Sequence, residues 1–218
     1  TYLGKLSSVT PSQISAIKLE HTHAPESTKP PSAAPTEQKK QLFLEYAKKN
    51  KLNDNYVHLL LKNHDIFSKD KHDLGCTTTM EHDIQLKENV PVYRKQFRIP
   101  EQHRQIILEH LEKWLKLGIV RPSKSKFNAP IFCVKKKDNS ERPVLDFRDL
   151  NQNSQIDKYS SRDVQGCINE IGWSRSTVFS LLDLTSGFWQ MPLAESSRHY
   201  TAFTIPGVGN FEWCRTPM

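Results

Sequence analysis

Two groups of residues carry most of the chemical content of this sequence. The first is a lone carboxylate in Phe179-Ser180-Leu181-Leu182-Asp183-Leu184-Thr185-Ser186-Gly187-Phe188-Trp189-Gln190. An aspartate at the end of an apolar strand is costly unless it is paired, caps a helix or binds a cation. Residue types alone therefore leave two readings of Asp183 open: N-cap of a helical turn over residues 186–190, or ligand of a divalent ion. The second group is Lys135-Lys136-Lys137 followed by Arg142. Three lysines on a polar turn read as solvated surface. With an arginine beside them they also suit phosphate oxygens, because arginine offers a planar two-donor fork and lysine a mobile point charge.

The elements that must hold these groups follow from hydrophobic spacing. Residues 178–184 form an apolar run of strand length that ends near the carboxylate. Residues 129–134 and 142–146 read as two strands joined by the polar tip at 135–141. Pro143 cannot donate to a ladder, which puts the second strand at an edge. Ahead of this hairpin, Ile107, Leu111, Trp114 and Leu115 make one face of a helix that starts after Pro100 and is closed by Gly118. Residues 161–171 predict a further amphipathic helix through Val164, Cys167, Ile168 and Ile171. Residues 189–193, 201–205 and 210–214 supply more strands, with turns at 195–197 and 206–209. Strand-like alternation also occurs at 81–86 and 92–99.

Nearer the start, residues 22–36 are rich in Pro, Ser, Thr and Ala and lack an apolar period, so they predict a disordered linker. From Glu37 the positions Phe43, Tyr46 and Ala47, then Val57, Leu60, Leu61 and His64, predict two short helices ending near Ile66-Phe67-Ser68. Helices and strands without a βαβ rhythm give an α+β class. The expected organisation is a linker over 1–36, a helical connector over 37–80 and a principal domain over 81–218.

Composition sets outer bounds. The 218 residues carry 31 Lys and Arg against 24 Asp and Glu, a net charge of +7, which favours anionic partners such as nucleic acid. The four cysteines, Cys76, Cys133, Cys167 and Cys214, are far apart, with no CxxC pair and no histidine pair at zinc-ligand spacing. They are expected to be reduced, intracellular and mostly buried. No run of 18 apolar residues and no signal peptide is present, so no membrane partner is expected. Starting at Thr1 and stopping at Met218 in mid-pattern, the chain is expected to be a piece of a longer product.

Several ordered motifs together carry a family resemblance. Leu182-Asp183-Leu184-Thr185-Ser186-Gly187-Phe188-Trp189-Gln190 resembles the first catalytic motif of gypsy-type LTR-retrotransposon reverse transcriptases. Leu117-Gly118-Ile119-Val120-Arg121-Pro122-Ser123, Ala129-Pro130-Ile131 through Val134-Lys135-Lys136-Lys137-Asp138, and Arg142-Pro143-Val144-Leu145-Asp146-Phe147-Arg148-Asp149-Leu150-Asn151 resemble successive segments of the same family. So does Tyr200-Thr201-Ala202-Phe203-Thr204. The likeness runs from about His82 to Met218. It implies the fingers and an incomplete palm of an RNA-directed DNA polymerase, preceded by the linker and short helices.

The resemblance also implies roles. Asp183 would be the first catalytic aspartate and, with the Leu184 backbone, a ligand in a scheme of two Mg²⁺ ions. One ion would activate the primer 3′-hydroxyl, and the other would steady the triphosphate and leaving group. Leu184, Thr185, Ser186 and Gly187 would approach the triphosphate through their amides, and Phe188 would exclude a 2′-hydroxyl. Lys136 and Arg142 would grip the triphosphate. Asp146, Phe147 and Arg148 would position the fingers and template strand, Gln190 would line the sugar or the sheet, and Met218 falls near the nucleotide. The implied partners are an RNA or DNA template-primer and deoxynucleoside triphosphates, in a cytoplasmic particle or the nucleus. Trp114 and Trp173 read as core or hydrophobic-edge residues, and Arg198 and His199 as exposed turn residues.

Departures from the family pattern bear on activity. Asn139 and Ser140 stand where glycine is usual, and Tyr159-Ser160 replaces Tyr-Pro. No Tyr-x-Asp-Asp sequence occurs in the 218 residues, so the second and third catalytic carboxylates are missing. These residues alone are expected not to polymerise. The alternative expectation is a catalytically dead or co-opted nucleic-acid-binding remnant.

Overall fold

The structure, a computed structural model, describes residues 36–70, 73–156 and 163–217. The expected linker lies outside them except for Thr36, which already opens a helix. Tyr159-Ser160 and Met218 also lie outside them.

The connector contains α1 (Thr36–Asn50) and α2 (Asp54–Lys62), followed by a 3₁₀ turn at His64–Ile66. Asn53 sets the start of α2, its side chain accepting from the Asn55 amide at 2.9 Å. Helix α1 is pinned to the segment after that turn by Phe43 against Phe67, edge to face at 5.1 Å, and by the Lys39–Asp73 ion pair at 2.9 Å.

The principal core begins with α3 (Glu101–Lys116), which starts after Pro100 and buries Ile107, Leu111 and Trp114 on one face. Gly118, at φ 65°, takes the left-handed conformation that lets the chain turn off the helix. It leads into β1 (Val120–Pro122), the outer strand of an antiparallel sheet in the order β1-β5-β4, with β4 at Phe203–Ile205 and β5 at Gly209–Trp213. Trp114 of α3 meets Trp213 at 5.0 Å and the edge of Phe203 at 6.4 Å. Phe203 and Ile107 are fully buried in this cluster.

The second sheet is a hairpin of β2 (Ile131–Lys135) and β3 (Glu141–Leu145), in register from Ile131 opposite Leu145 to Lys135 opposite Glu141. Helix α4 (Arg148–Asn153) follows β3 directly. Helices α5 (Val164–Ser174) and α6 (Glu195–Arg198) complete the set, α5 being capped by the Asp163 carboxylate on the Gln165 and Gly166 amides. Antiparallel sheets with helices segregated from them make the class α+β, as the apolar spacing implied.

Several local expectations are corrected. Residues 178–184 are not a strand: they pair with nothing among the described residues, and Val178, Phe179, Leu181, Leu182 and Leu184 are exposed, Leu181 to 96%. Apolar and β-branched residues favour a strand only where a neighbour supplies the ladder and a covering face. Residues 189–193 form no strand either. They continue a 3₁₀ turn (Gly187–Gln190) and make single bridges at Pro192 and Leu193. The expected turn at 195–197 is helix α6. Residues 81–86 and 92–99 are extended and joined by isolated bridges rather than ladders.

Further corrections concern burial. Trp173 is 80% exposed, and the apolar face of α5 has no cover among the described residues. Arg198 is buried, its Nε donating to the Leu193 carbonyl at 3.0 Å and its guanidinium pairing with Glu195. All four cysteines are half-buried rather than buried. Helix α4 and strand β1 had no signal of their own in the apolar spacing.

Candidate functional site: the hairpin face and the Asp183 segment

The β2–β3 register decides which hairpin side chains act together. Residues directly opposite in an antiparallel pair share a face, and each strand alternates faces. Val134 lies opposite Arg142, and the Lys136 amide donates to Ser140 at 2.7 Å. Lys136 and Arg142 therefore project from one face, with Phe132 and Val144. Lys135, Lys137 and Glu141 project from the other. Lys136 and Arg142 are both exposed.

The tip is held without the usual glycine. Asn139 sits at φ 62°, a region asparagine enters more readily than most residues. The Asp138 carboxylate accepts from the Ser140 amide at 3.0 Å and hydroxyl at 2.6 Å. Those bonds hold its carboxyl below the usual carboxylate range. The departure at Asn139-Ser140 thus alters the turn and leaves the two cations on their shared face.

At the base of the hairpin, Asp146 is the electrostatic anchor. Its side chain is 3% exposed. It accepts from Arg148 Nε at 2.8 Å and Nη2 at 2.6 Å, and from Arg94 Nη1 at 2.9 Å. Arg94 reaches on to Asp149 at 2.7 Å, tying the extended segment before α3 to the first turn of α4. The hydrogen bonds from Arg148, reinforced by the Arg94 charge, hold the Asp146 carboxyl well below its ordinary range against the opposing effect of burial. A carboxyl depressed in the fold stabilises above its unfolded value, about 3.9, and loses that contribution as pH falls further. Asp146→Asn is accordingly expected to lose about 1–2 kcal/mol at neutral pH. In urea titrations the gap from wild type should narrow below about pH 4. A gap independent of pH would show that the ion pairs are not its cause.

Asp146, Phe147 and Arg148 line a cavity of about 660 Å³, together with Phe132, Gln155 and Thr216. Lys136, Arg142, Asp183 and Phe188 are not among its lining residues.

The Asp183 segment is differently built. Asp183 and Leu184 are exposed, as is Phe188. The N-cap of the 3₁₀ turn at Gly187–Gln190 is Ser186, at φ 48°, and its side chain makes no capping bond, so the capping reading of Asp183 does not hold. Gln190 fixes the turn, donating to the Thr185 carbonyl at 2.7 Å, while its own carbonyl accepts from the Thr77 amide at 2.9 Å. A Cβ on Gly187 would stand 3.3 Å from Leu184 Cβ, tighter than ordinary contact, so the absence of a side chain there serves the turn itself.

The donor set at Asp183 can be weighed against divalent ions. A carboxylate and the neighbouring carbonyl are hard oxygen donors, right in kind for Mg²⁺. In number they fall short, because two adjacent divalent ions repel and need several anionic ligands. Among the described residues the one group of three potential ligands lies elsewhere, at His103, Cys133 and Glu141. Asp183 and the Leu184 carbonyl alone do not fit a pair of Mg²⁺ ions.

Sequence reasoning missed Arg94, an unremarkable cation in an extended stretch whose role depends on Asp146 folding back beside it. It also missed Gln96, whose amide both donates to the Ile131 carbonyl and accepts from the Ile131 amide, each at 2.7 Å, and so starts β2.

Comparison with solved structures places this arrangement in a known fold. The chain superposes on the prototype foamy virus protease-reverse transcriptase with a TM-score of 0.61 at 24% identity, covering 90% of this chain and 27% of that one. On the foamy viral enzyme in complex with an RNA/DNA hybrid the TM-score is 0.62 at 24% identity, covering 95% and 27%. The fold is thus shared with about a quarter of a viral protease-reverse transcriptase chain. The family model for reverse transcriptase (RNA-dependent DNA polymerase) matches residues 134–218.

Two Drosophila melanogaster relatives narrow the class. The retrovirus-related Pol polyprotein from transposon 412 is 33% identical over 160 residues, and that from transposon gypsy is 32% identical over 158. These matches take in 71% and 70% of this chain but 13% and 15% of the relatives. The chain belongs to the reverse-transcriptase family and is similar to a stretch of gypsy-type retrotransposon Pol polyproteins. It spans about a seventh of the length of those relatives. Reverse transcriptases as a family use divalent metal ions.

Proposed function

We propose that residues 81–218 supply the fingers and part of the palm of an RNA-directed DNA polymerase, and that residues 37–80 are a connector ahead of it. The reaction is template-directed transfer of a nucleotidyl group from a deoxynucleoside triphosphate to a primer, with RNA or DNA as template. The observation that supports this best is the shared face of Lys136 and Arg142 on a hairpin anchored by Asp146. Two cations so held meet a polyanion without first paying the cost of being brought together.

In this reading the Arg142 fork binds two phosphate oxygens side by side, and Lys136 follows the charge as it moves toward the leaving group. Arg148 and Asp146 fix the hairpin base against the template strand, with Phe147 and Gln190 in support. The amides of residues 184–187 approach the triphosphate. Asp183, with the Leu184 carbonyl, is this chain's contribution to a ligand set for two Mg²⁺ ions, which supply charge neutralisation and nucleophile activation when bound. Phe188 stands against the sugar and Met218 near the nucleotide.

In a full-length Pol polypeptide, Lys136→Ala or Arg142→Ala should raise the apparent KM for dNTP on the order of tenfold to a hundredfold. Steady-state primer extension at varied dNTP measures this, and an unchanged KM for both variants would refute the grip. Taken alone, the 218 residues include no Tyr-x-Asp-Asp. That polypeptide should bind template-primer in a salt-dependent manner and extend nothing.

A further inference from the structure

Three side chains from three elements converge on the hairpin face turned toward α3: His103 in the first turn of α3, Cys133 in the middle of β2, and Glu141 at the start of β3. One donor atom from each lies within 4.8 Å of the other two, and all three residues are half-buried. His103 Nε2 is 3.2 Å from Glu141 Oε2, with side-chain exposures of 23% and 19%. The pairing of Lys135 with Glu141 and of Cys133 with Pro143 gives the last two ligands a common face, so the register itself makes the cluster.

An ion pair joins His103 to Glu141, and the thiol beside them donates weakly to the His103 carbonyl at 3.8 Å, which leaves its sulfur lone pairs available to a cation. In a tetrahedral zinc site, bonds of about 2.0–2.1 Å to nitrogen and oxygen and about 2.3 Å to sulfur set the ligand edges. Those lengths give edges of about 3.3 Å between nitrogen and oxygen, and about 3.6 Å to sulfur. The His103–Glu141 distance of 3.2 Å is already such an edge. Sulfur, no more than 4.8 Å from either partner atom, has at most about 1.2 Å to close to reach its edge.

We propose that His103, Cys133 and Glu141 bind one zinc-class divalent ion, with a fourth position open to water. The mixed nitrogen, sulfur and oxygen set selects against Mg²⁺ and Ca²⁺, which take oxygen ligands. As the sulfur–metal bond forms, the thiol proton leaves to solvent. The bound ion ties both strands of the hairpin to α3 on the face opposite Lys136 and Arg142. It is independent of the polymerase reading and separate from the ions assigned to Asp183.

The test is a Co²⁺ titration of the reduced 218-residue chain in excess Mg²⁺, read by the thiolate-to-cobalt charge-transfer band. One equivalent should bring up the band, and Zn²⁺ should displace it. Cys133→Ser should abolish the band, and Glu141→Gln should weaken binding at least about tenfold. Cys76→Ser, Cys167→Ser and Cys214→Ser should retain it. No band in the wild type, or a band that survives Cys133→Ser, overturns the proposal. Should Cys133→Ser lose its circular-dichroism signal, His103→Gln decides the matter, since it keeps the thiol: unchanged Co²⁺ affinity in that variant also overturns the site.

Discussion

Asp183→Ala, introduced into a full-length Pol polypeptide, is expected to lower primer extension by at least about three orders of magnitude while template-primer affinity stays within about threefold. The asymmetry follows from where charge resides. Asp183 is an exposed carboxylate, and on the proposed reading its removal subtracts a negative charge from the place where cations and triphosphate gather. Template affinity comes chiefly from cations releasing counterions, and none of those is touched. Single-turnover extension with Mg²⁺, run beside a filter-binding titration, separates the two effects. Extension within tenfold of wild type would remove Asp183 from the chemistry, whatever the binding result.

Phe188→Ala should admit ribonucleotides. An aromatic ring against the sugar discriminates by refusing room for one hydroxyl, and a steric contrast of that size is worth about 1–3 kcal/mol, or tenfold to two-hundredfold. The ratio of kcat/KM for dNTP over the matching rNTP should fall by that factor, with little change for dNTP itself. Phe188 is 61% exposed and lies outside the buried core cluster, so its truncation should cost little stability. An unchanged sugar preference would make the ring a packing element for segments beyond these residues.

Much of the scaffold was legible in the sequence because it is local. Helix α3 carries its own start at Pro100, its stripe of Ile107, Leu111 and Trp114, and its stop at Gly118, each needing only neighbours a few positions away. The hairpin likewise announces itself through two short strands and a polar tip. What could not be read depends on partners remote in sequence. Residues 178–184 have the composition of a strand but no described neighbour to pair with. Arg94 and Asp146 meet across 52 positions. The His103, Cys133 and Glu141 cluster uses one residue from each of three elements, a pattern no spacing rule addresses. The individual residues of the candidate site were legible only through several motifs taken together, since Asp183 and the lysines each had an ordinary structural explanation.

The way Gln96 grips Ile131 has a consequence for self-association. Ile131, Cys133 and Lys135 lie opposite Leu145, Pro143 and Glu141, while the ladder bonds fall at the alternating pairs, as between Asp146 and Pro130 at 2.9 Å. The backbone groups of Ile131 therefore point away from the hairpin, and Gln96 occupies both. On the opposite rim, Pro143 has no hydrogen to offer. A two-stranded ribbon ordinarily invites another chain to zip onto it. This one has each rim blunted, so fibril-like growth through the hairpin is disfavoured, and any clumping of the purified polypeptide should start instead from the bare backbone around Leu181.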